Sequence, residues 1–241
     1  MRTLVIGDIH GGLKALVQLL AKLKLSQKDT LIFLGDYVDG WGQSAQVLSF
    51  LLEFSKKQEC IFIKGNHDLW CERWLRDSST EQAWLAHGGA ATIKSYETVS
   101  NAEKTKHLRF LEDMPLYYLD NQRRLFLHAG FTAENGVEEE DVPQNLFYDR
   151  TLWQIAMQAE ANEISSDEPY LRRFKNYNEI FIGHTPTLRF DQDTPMKALN
   201  VWNIDTGAAF TGKLSAIDVN SKKIFQSEPV TDFYPSENGR N

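Results

Sequence analysis

The segment "LVIGDIHGG" ends an apolar run in Asp8 and His10. An ionised carboxylate and an imidazole resist burial unless something satisfies them. The same event recurs downstream: "TLIFLGDYVDG" reaches Asp36, "CIFIKGNHD" reaches Asn66 and His67, "RLFLHAG" reaches His128, and "EIFIGHTP" reaches His184. Taken singly, an Asp after a strand is a turn or cap residue, and a His is merely hydrogen-bonded. Taken together, these strand ends present oxygen and imidazole donors without a thiolate. That inventory suits manganese, iron or zinc in a reactive centre rather than a Cys-rich structural zinc site. The donors exceed the needs of one tetrahedral ion, so two divalent ions sharing a carboxylate are expected.

The elements that must position these groups are legible from periodicity. Residues 2–7 read as a buried β-branched strand. "GGLKALVQLLAKLKL" places Leu13, Leu16, Val17 and Leu20 on one helical face. "DTLIFLGD", "SAQVLSFLLEFSKK" and "ECIFIKGN" continue as strand, helix and strand, the alternation of a parallel sheet covered by helices. Ligands gather at the carboxyl ends of such strands, where Asp8, His10, Asp36 and Asn66 fall. A helical flank follows over about 69–113. "LYYLDNQRRLFLHAGF" reads as a hairpin turning near Asp120-Asn121, the acidic stretch "TAENGVEEEDVPQN" as a loop, and "LFYDRTLWQIAMQAE" as helical at its end. "EIFIGH", "ALNVWNID", "LSAIDV" and "KKIFQS" read as strands. A polar, proline-containing tail from about 228 to 241 is expected to lie loosely on the surface. No linker or repeat divides the chain, so one catalytic domain over 1–241 is expected.

Bulk composition excludes little but points one way. The 241 residues are 42% hydrophobic and 24% charged, as in ordinary globular proteins, with a net charge of -7. That charge argues against a stable nucleic-acid complex. No apolar stretch approaches the ~20 residues of a membrane helix. "MRTLVIGD" runs directly into a chemically loaded strand end, so no cleavable leader is expected, and Cys60 and Cys71 read as packing residues of a cytoplasmic protein.

"GDIHGG", "GDYVDG", "GNHD", "LHAG" and "GHTPT", in this order, resemble the motif set of the calcineurin-like metallophosphoesterases. The late "IDTGA" brings the resemblance nearest to the bacterial and phage-lambda type of phosphoprotein (serine/threonine) phosphatase. It spans Asp8 to about Gly212. The resemblance implies an α/β sandwich of two mixed β-sheets flanked by helices. It implies one ion on Asp8, His10 and Asp36, with Asp36 bridging to a second on Asn66, His128 and His184. Manganese is the expected metal, with iron or zinc as alternatives. A metal-bridging hydroxide would attack phosphorus, and His67, steadied by Asp39, would protonate the leaving oxygen. The glycines before Asp8, Asp36, Asn66 and His184 are expected to let the backbone turn sharply.

Two departures bear on substrate. The second motif continues with Gly40 and Trp41 where protein phosphatases of this family carry an arginine that grips phosphate. Arg150 in "FYDRTLW" matches a second phosphate-binding arginine and, with Asn66, is the candidate phosphate ligand. Lys64 and the Arg123-Arg124 pair are weaker candidates, expected to be solvated. The third motif reads "GNHD", as in diadenosine tetraphosphatases, rather than "GNHE". Trp41 is weighed as an aromatic face for a base or a phosphotyrosine ring against surface packing, and His87 is read as near the site at most. His107 is read as a surface residue, while Asp205 and Thr206 hold the loop of His184. The leading expectation is a serine/threonine or dual-specificity protein phosphatase. The alternatives are a hydrolase of dinucleoside tetraphosphates or other nucleotides and, last, a phosphate-binding module without turnover.

Overall fold

The computed structural model describes residues 1–165 and 168–240. Its strands, in chain order, are β1 (Thr3–Ile6), β2 (Thr30–Phe33), β3 (Glu59–Phe62), β4 (Tyr117–Leu119), β5 (Arg124–Leu127), β6 (Glu179–Ile182), β7 (Met196–Ala198), β8 (Val201–Asn203), β9 (Lys213–Asp218) and β10 (Ile224–Pro229). They form two mixed five-stranded sheets, ordered β10-β9-β1-β2-β3 and β4-β5-β6-β8-β7. In the first, β1, β2 and β3 run parallel, and β9 joins antiparallel to β1. In the second, β5, β6 and β8 run parallel between antiparallel edge strands.

Strict alternation along each central strand explains the layers, since successive side chains point to opposite faces. Leu4, Ile6, Leu31 and Phe33 face one core with the helices α1 (Leu13–Leu23) and α2 (Ser44–Phe54). Leu125, Leu127, Ile180 and Ile182 face a second core with the helix Thr151–Glu160. The residues between them in sequence, Val5, Ile32, Phe126 and Phe181, meet in a third cluster between the two sheets. Packing the sheets face to face brings the carboxyl ends of β1, β2, β3, β5 and β6 to one edge.

Four expectations need correction. Val17 does not share the buried face of α1; it is 47% exposed, and Ala15, Leu16, Leu19, Leu20 and Leu23 line the core instead. "ALNVWNID" is two antiparallel strands, because Ala198 pairs with Val201 across a tight turn in which Leu199 takes φ 51°. His107 is fully buried between Ser49 Oγ and the Tyr96 hydroxyl, each 2.9 Å away, and burial lowers its pKa to about 4.

The fourth correction concerns the tail, which is packed rather than loose. Val230 and Tyr234, four residues apart around the short helix Val230–Phe233, present one apolar face and are buried. The Tyr234 ring stacks on Trp41 at 5.2 Å and 23°. Trp41 is therefore neither a substrate platform nor a surface residue. It is fully buried and donates its indole N–H to the Ala208 carbonyl at 2.7 Å. Composition hid this segment because two well-placed apolar residues suffice to seat it.

Candidate active site

Each predicted donor lies just past a strand, and four site residues hold left-handed backbone: His10 (φ 50°), Asp36 (φ 53°), Asp39 (φ 71°) and His184 (φ 66°). Non-glycine residues adopt this region at a cost of about 1–3 kcal/mol each, a strain that concentrates at functional sites. Among the glycines before the donors, only Gly35 has positive φ, at +106°. The others answer a different need. A Cβ on Gly65 would strike the Asp36 carboxylate, and one on Gly183 would strike that of Asp8. The expected sharp turns thus reduce to one position, and close approach explains Gly65 and Gly183.

The donor atoms converge. His10 Nε2 lies 3.5 Å from Asp36 Oδ2 and 3.9 Å from Asp8 Oδ2. His128 Nε2 lies 3.3 Å from Asp36 Oδ2 and 3.1 Å from Asn66 Oδ1. Two triads, His10–Asp36–His67 and Asp36–His128–His184, hold one donor atom per residue within 4.8 Å of one another. Asp36 belongs to both, the position required of a bridging carboxylate. Asp8 stands beside the first triad: its Oδ2 accepts the His184 amide at 2.9 Å, while its Oδ1 is buried without a partner among the described residues. His184 Nε2 is likewise unpartnered.

Ring orientation is set from behind. His10 Nδ1 sits against the Val38 and Asp39 carbonyls at 3.2 and 3.1 Å, and His128 Nδ1 against the Leu34 carbonyl at 2.9 Å. Each contact fixes the proton on Nδ1 and leaves Nε2 free as a donor atom, as in metal-ligating histidines. Electrostatics agree with a site that wants positive charge. Burial opposes ionisation of Asp36, yet His128 and His67 outweigh it and hold the carboxyl well below its usual range. Burial also opposes charge on His128, but Asp36 and Asp8 raise its pKa to about 9. Asp8 is pushed well up by burial and by Asp205. Hard carboxylates, imidazoles and unpartnered buried lone pairs around a shared Asp fit divalent cations.

His67 and Asp39 form a separate, fully buried pair, Nδ1 to Oδ2, at 2.6 Å. Burial lowers the His67 pKa to about 3 and raises that of Asp39 to about 8, so neither favours a lone charge. His67 Nε2 points into the site without a partner among the described residues. Asp39 is held by two residues that sequence reasoning missed, the Trp84 indole N–H at 2.7 Å and the Thr92 hydroxyl at 2.6 Å. Both belong to the helical flank, whose part in the site is to fix this carboxylate. No local motif marks them.

Asp68 of "GNHD" spends its carboxylate on backbone. It accepts the Asp36, Tyr37 and Gly65 amides at 2.8, 2.9 and 2.8 Å and so ties the second motif to the third. Asp205 accepts the Gly207 amide at 2.9 Å, its carbonyl accepts the Thr187 amide at 2.8 Å, and the Thr206 hydroxyl reaches the Lys213 carbonyl at 2.6 Å. These contacts brace the loop after His184.

The basic candidates separate cleanly. Lys64 is buried and paired with Glu72 at 2.6 Å, and Arg124 pairs with Asp120 at 2.6 Å at the far end of β5; neither is solvated as expected. Arg123 is turned to the Asn176 carbonyl. Arg150, at the start of the helix Thr151–Glu160, is half-buried, with Nε unpartnered among the described residues. Burial, with Arg189 and Arg240 nearby, pushes its pKa down. Above the histidines, Trp70 packs edge-on to His67 at 5.0 Å. It also faces the exposed His87 at 6.4 Å and the exposed Tyr148 at 6.3 Å.

With this geometry, similarity to known proteins is informative. Residues 1–207 match the family model described as calcineurin-like phosphoesterase. The chain belongs to that family and is a phosphoesterase of the hydrolase class. It is similar to the bis(5'-nucleosyl)-tetraphosphatase PrpE (asymmetrical) of Oceanobacillus iheyensis, at 28% identity over 97% of this chain and 98% of the relative. The protein of the same name from Bacillus cereus strain 03BB102 is 29% identical over 88% of each chain. The structure of a protein serine/threonine phosphatase from Saccharomyces cerevisiae shares the fold with a TM-score of 0.60 at 15% identity, covering 95% of this chain and 80% of that one. Among the described residues no helix is long and apolar enough to cross a membrane.

Proposed function

We propose that the chain acts as one catalytic domain that hydrolyses a nucleotide substrate of the dinucleoside tetraphosphate class. The names of the curated relatives support this branch over the protein phosphatase expected first from the motifs. The observation that carries it is the aromatic rim of Trp70, His87 and Tyr148, which borders His67 and His184 with His87 and Tyr148 exposed, where a base could stack. Stacking a base on such a face is worth about 1–3 kcal/mol. A phosphoserine or phosphothreonine side chain has no ring to place there.

In this reading Asp8, His10 and Asp36 hold one divalent ion, and Asp36, Asn66, His128 and His184 hold the other, with manganese as the expected metal. When bound, such ions neutralise charge on the phosphoryl oxygens and lower the pKa of a bound water. The chain's own groups do the rest. Arg150 and the Asn66 amide bind the phosphate. His67 Nε2, aimed into the site, delivers a proton to the departing oxygen. Asp39 keeps the His67 Nδ1–H occupied and stabilises the ring while it is charged.

The test is a substrate panel with manganese-loaded protein, comparing diadenosine tetraphosphate, a phosphoserine peptide and a phosphotyrosine peptide by kcat/KM. A preference of tenfold or more for the dinucleotide, about 1.4 kcal/mol of transition-state selectivity, is expected. It should shrink in Trp70→Ala. A tenfold preference for either peptide overturns the assignment.

A further inference from the structure

Gly40 leaves the second motif without the arginine that the family resemblance led us to expect there. The space beside it is filled from the other end of the chain. A Cβ built on Gly40 would lie 3.5 Å from both the Cβ and the backbone nitrogen of Arg240. We propose that Arg240, carried in by the tail, is a substrate-binding residue that grips the phosphate opposite Arg150.

Three observations converge on this. The first is placement. The tail is anchored at successive points: Tyr234 on Trp41, the Glu237 carboxylate on the Gly42 amide at 2.7 Å, and the Arg240 amide on the Ala209 carbonyl at 2.7 Å. Gly239, at φ +66°, lets the chain pass over the Trp41 ring, where a Cβ would lie 2.8 Å from Cζ2. Arg240 is therefore held where it stands.

The second is lack of a partner. The Arg240 Nε is buried with no hydrogen-bond partner among the described residues, as is the Arg150 Nε. Its guanidinium carbon lies 5.7 Å from the centre of the Phe210 ring, a contact that orients the plane without neutralising the charge.

The third is the field. The Arg240 charge adds to burial and to Arg189 in lowering the Arg150 pKa, so the two guanidiniums oppose each other. Two guanidiniums that repel each other, each with a buried donor unfilled, carry a free-energy cost that an anion between them removes. A phosphoryl group accepts N–H bonds in the planar, two-pronged geometry that arginine offers. The proposal rests on the phosphoesterase reading and names the residue that completes its phosphate grip.

The test uses the full chain loaded with manganese and probes that carry no nucleoside, p-nitrophenyl phosphate as substrate and inorganic phosphate as inhibitor. Arg240→Ala should raise KM and the phosphate inhibition constant tenfold or more, with metal content and thermal unfolding unchanged. Arg240→Lys, which keeps the charge and loses the fork, should fall between. Added guanidinium ion should restore part of the loss in Arg240→Ala only. Parent-like KM and phosphate inhibition in a folded, metal-replete Arg240→Ala would overturn the proposal. Because no base is involved, a panel that rejects dinucleotides leaves this result standing, while a parent that cleaves neither p-nitrophenyl phosphate nor the dinucleotide removes the phosphoesterase reading itself.

Discussion

His10, Asp36 and His184 are aimed by their own strands: an apolar run enters the sandwich, and a left-handed residue turns the chain outward within a few positions. Arg240 is aimed by nothing local. Its position depends on Trp41, Ala209, Gly42 and Tyr234, drawn from distant parts of the sequence. The two regions meet at one site with opposite charge and opposite construction. Strand-end donors are as rigid as the sheets that deliver them, so the cations have a preformed seat. The phosphate grip on one side hangs on a segment stabilised by a few contacts, and segments of that kind open at lower free energy than core strands. Binding of metal and binding of phosphate should therefore respond differently to mutation.

The largest expected effect is on the strand-end side. Asp36→Asn removes the carboxylate common to both triads, and both ions should be lost together, with turnover, when metal content is measured by elemental analysis. Retention of one ion would show that the sharing is misassigned. Next, His67→Asn should keep both ions and lower kcat by about 10²–10⁴. The loss should be smaller for p-nitrophenyl phosphate than for an alkyl phosphate, because a good leaving group needs little protonation.

On the tail side, Trp41→Ala should destabilise by about 3–5 kcal/mol in denaturant unfolding. At concentrations where it stays folded, it should weaken phosphate binding as Arg240→Ala does, with metal content intact. Coupled loss of metal and phosphate affinity would erase the distinction drawn here.

The smallest effect lies away from the site. The Arg2 guanidinium donates twice to Asp29 Oδ2, at 3.1 and 2.7 Å, its backbone amide donates to Oδ1 at 2.8 Å, and together they hold that carboxyl below its usual range. A depressed folded-state pKa contributes stability that is complete above the unfolded value of about 4 and is lost as pH falls below it. Asp29→Asn should lower stability at neutral pH and flatten the acid limb of the stability curve, without moving KM.

Much of this was legible residue by residue. The runs before Asp8, Asp36, Asn66, His128 and His184 announced strands, and the donors at their ends announced a cluster, because strand periodicity and donor chemistry are local properties. α1 was legible as a helix, and Leu16 and Leu20 were placed on its buried face, but Val17 matched the spacing and is exposed, because the covered stripe runs through Leu19 and Leu23. The "GNHD" motif was legible and pointed to the tetraphosphatase branch, but the three backbone hydrogen bonds that Asp68 makes were not. His107 looked like a surface residue because nothing near it in sequence reveals Ser49 and Tyr96.

The order of residues alone determined which groups stand at the ends of which strands, since a strand's alternation and its glycine-bounded exit are short-range matters of backbone and burial. Only the packing of one sheet on the other decided that Asp36 is common to two triads. Only long-range contacts decided that Trp84 and Thr92 hold Asp39 and that the tail brings Arg240 beside Gly40. The reason is physical: convergence of distant segments is driven by burial of apolar surface, which is non-directional and leaves no local signature in the segments it brings together.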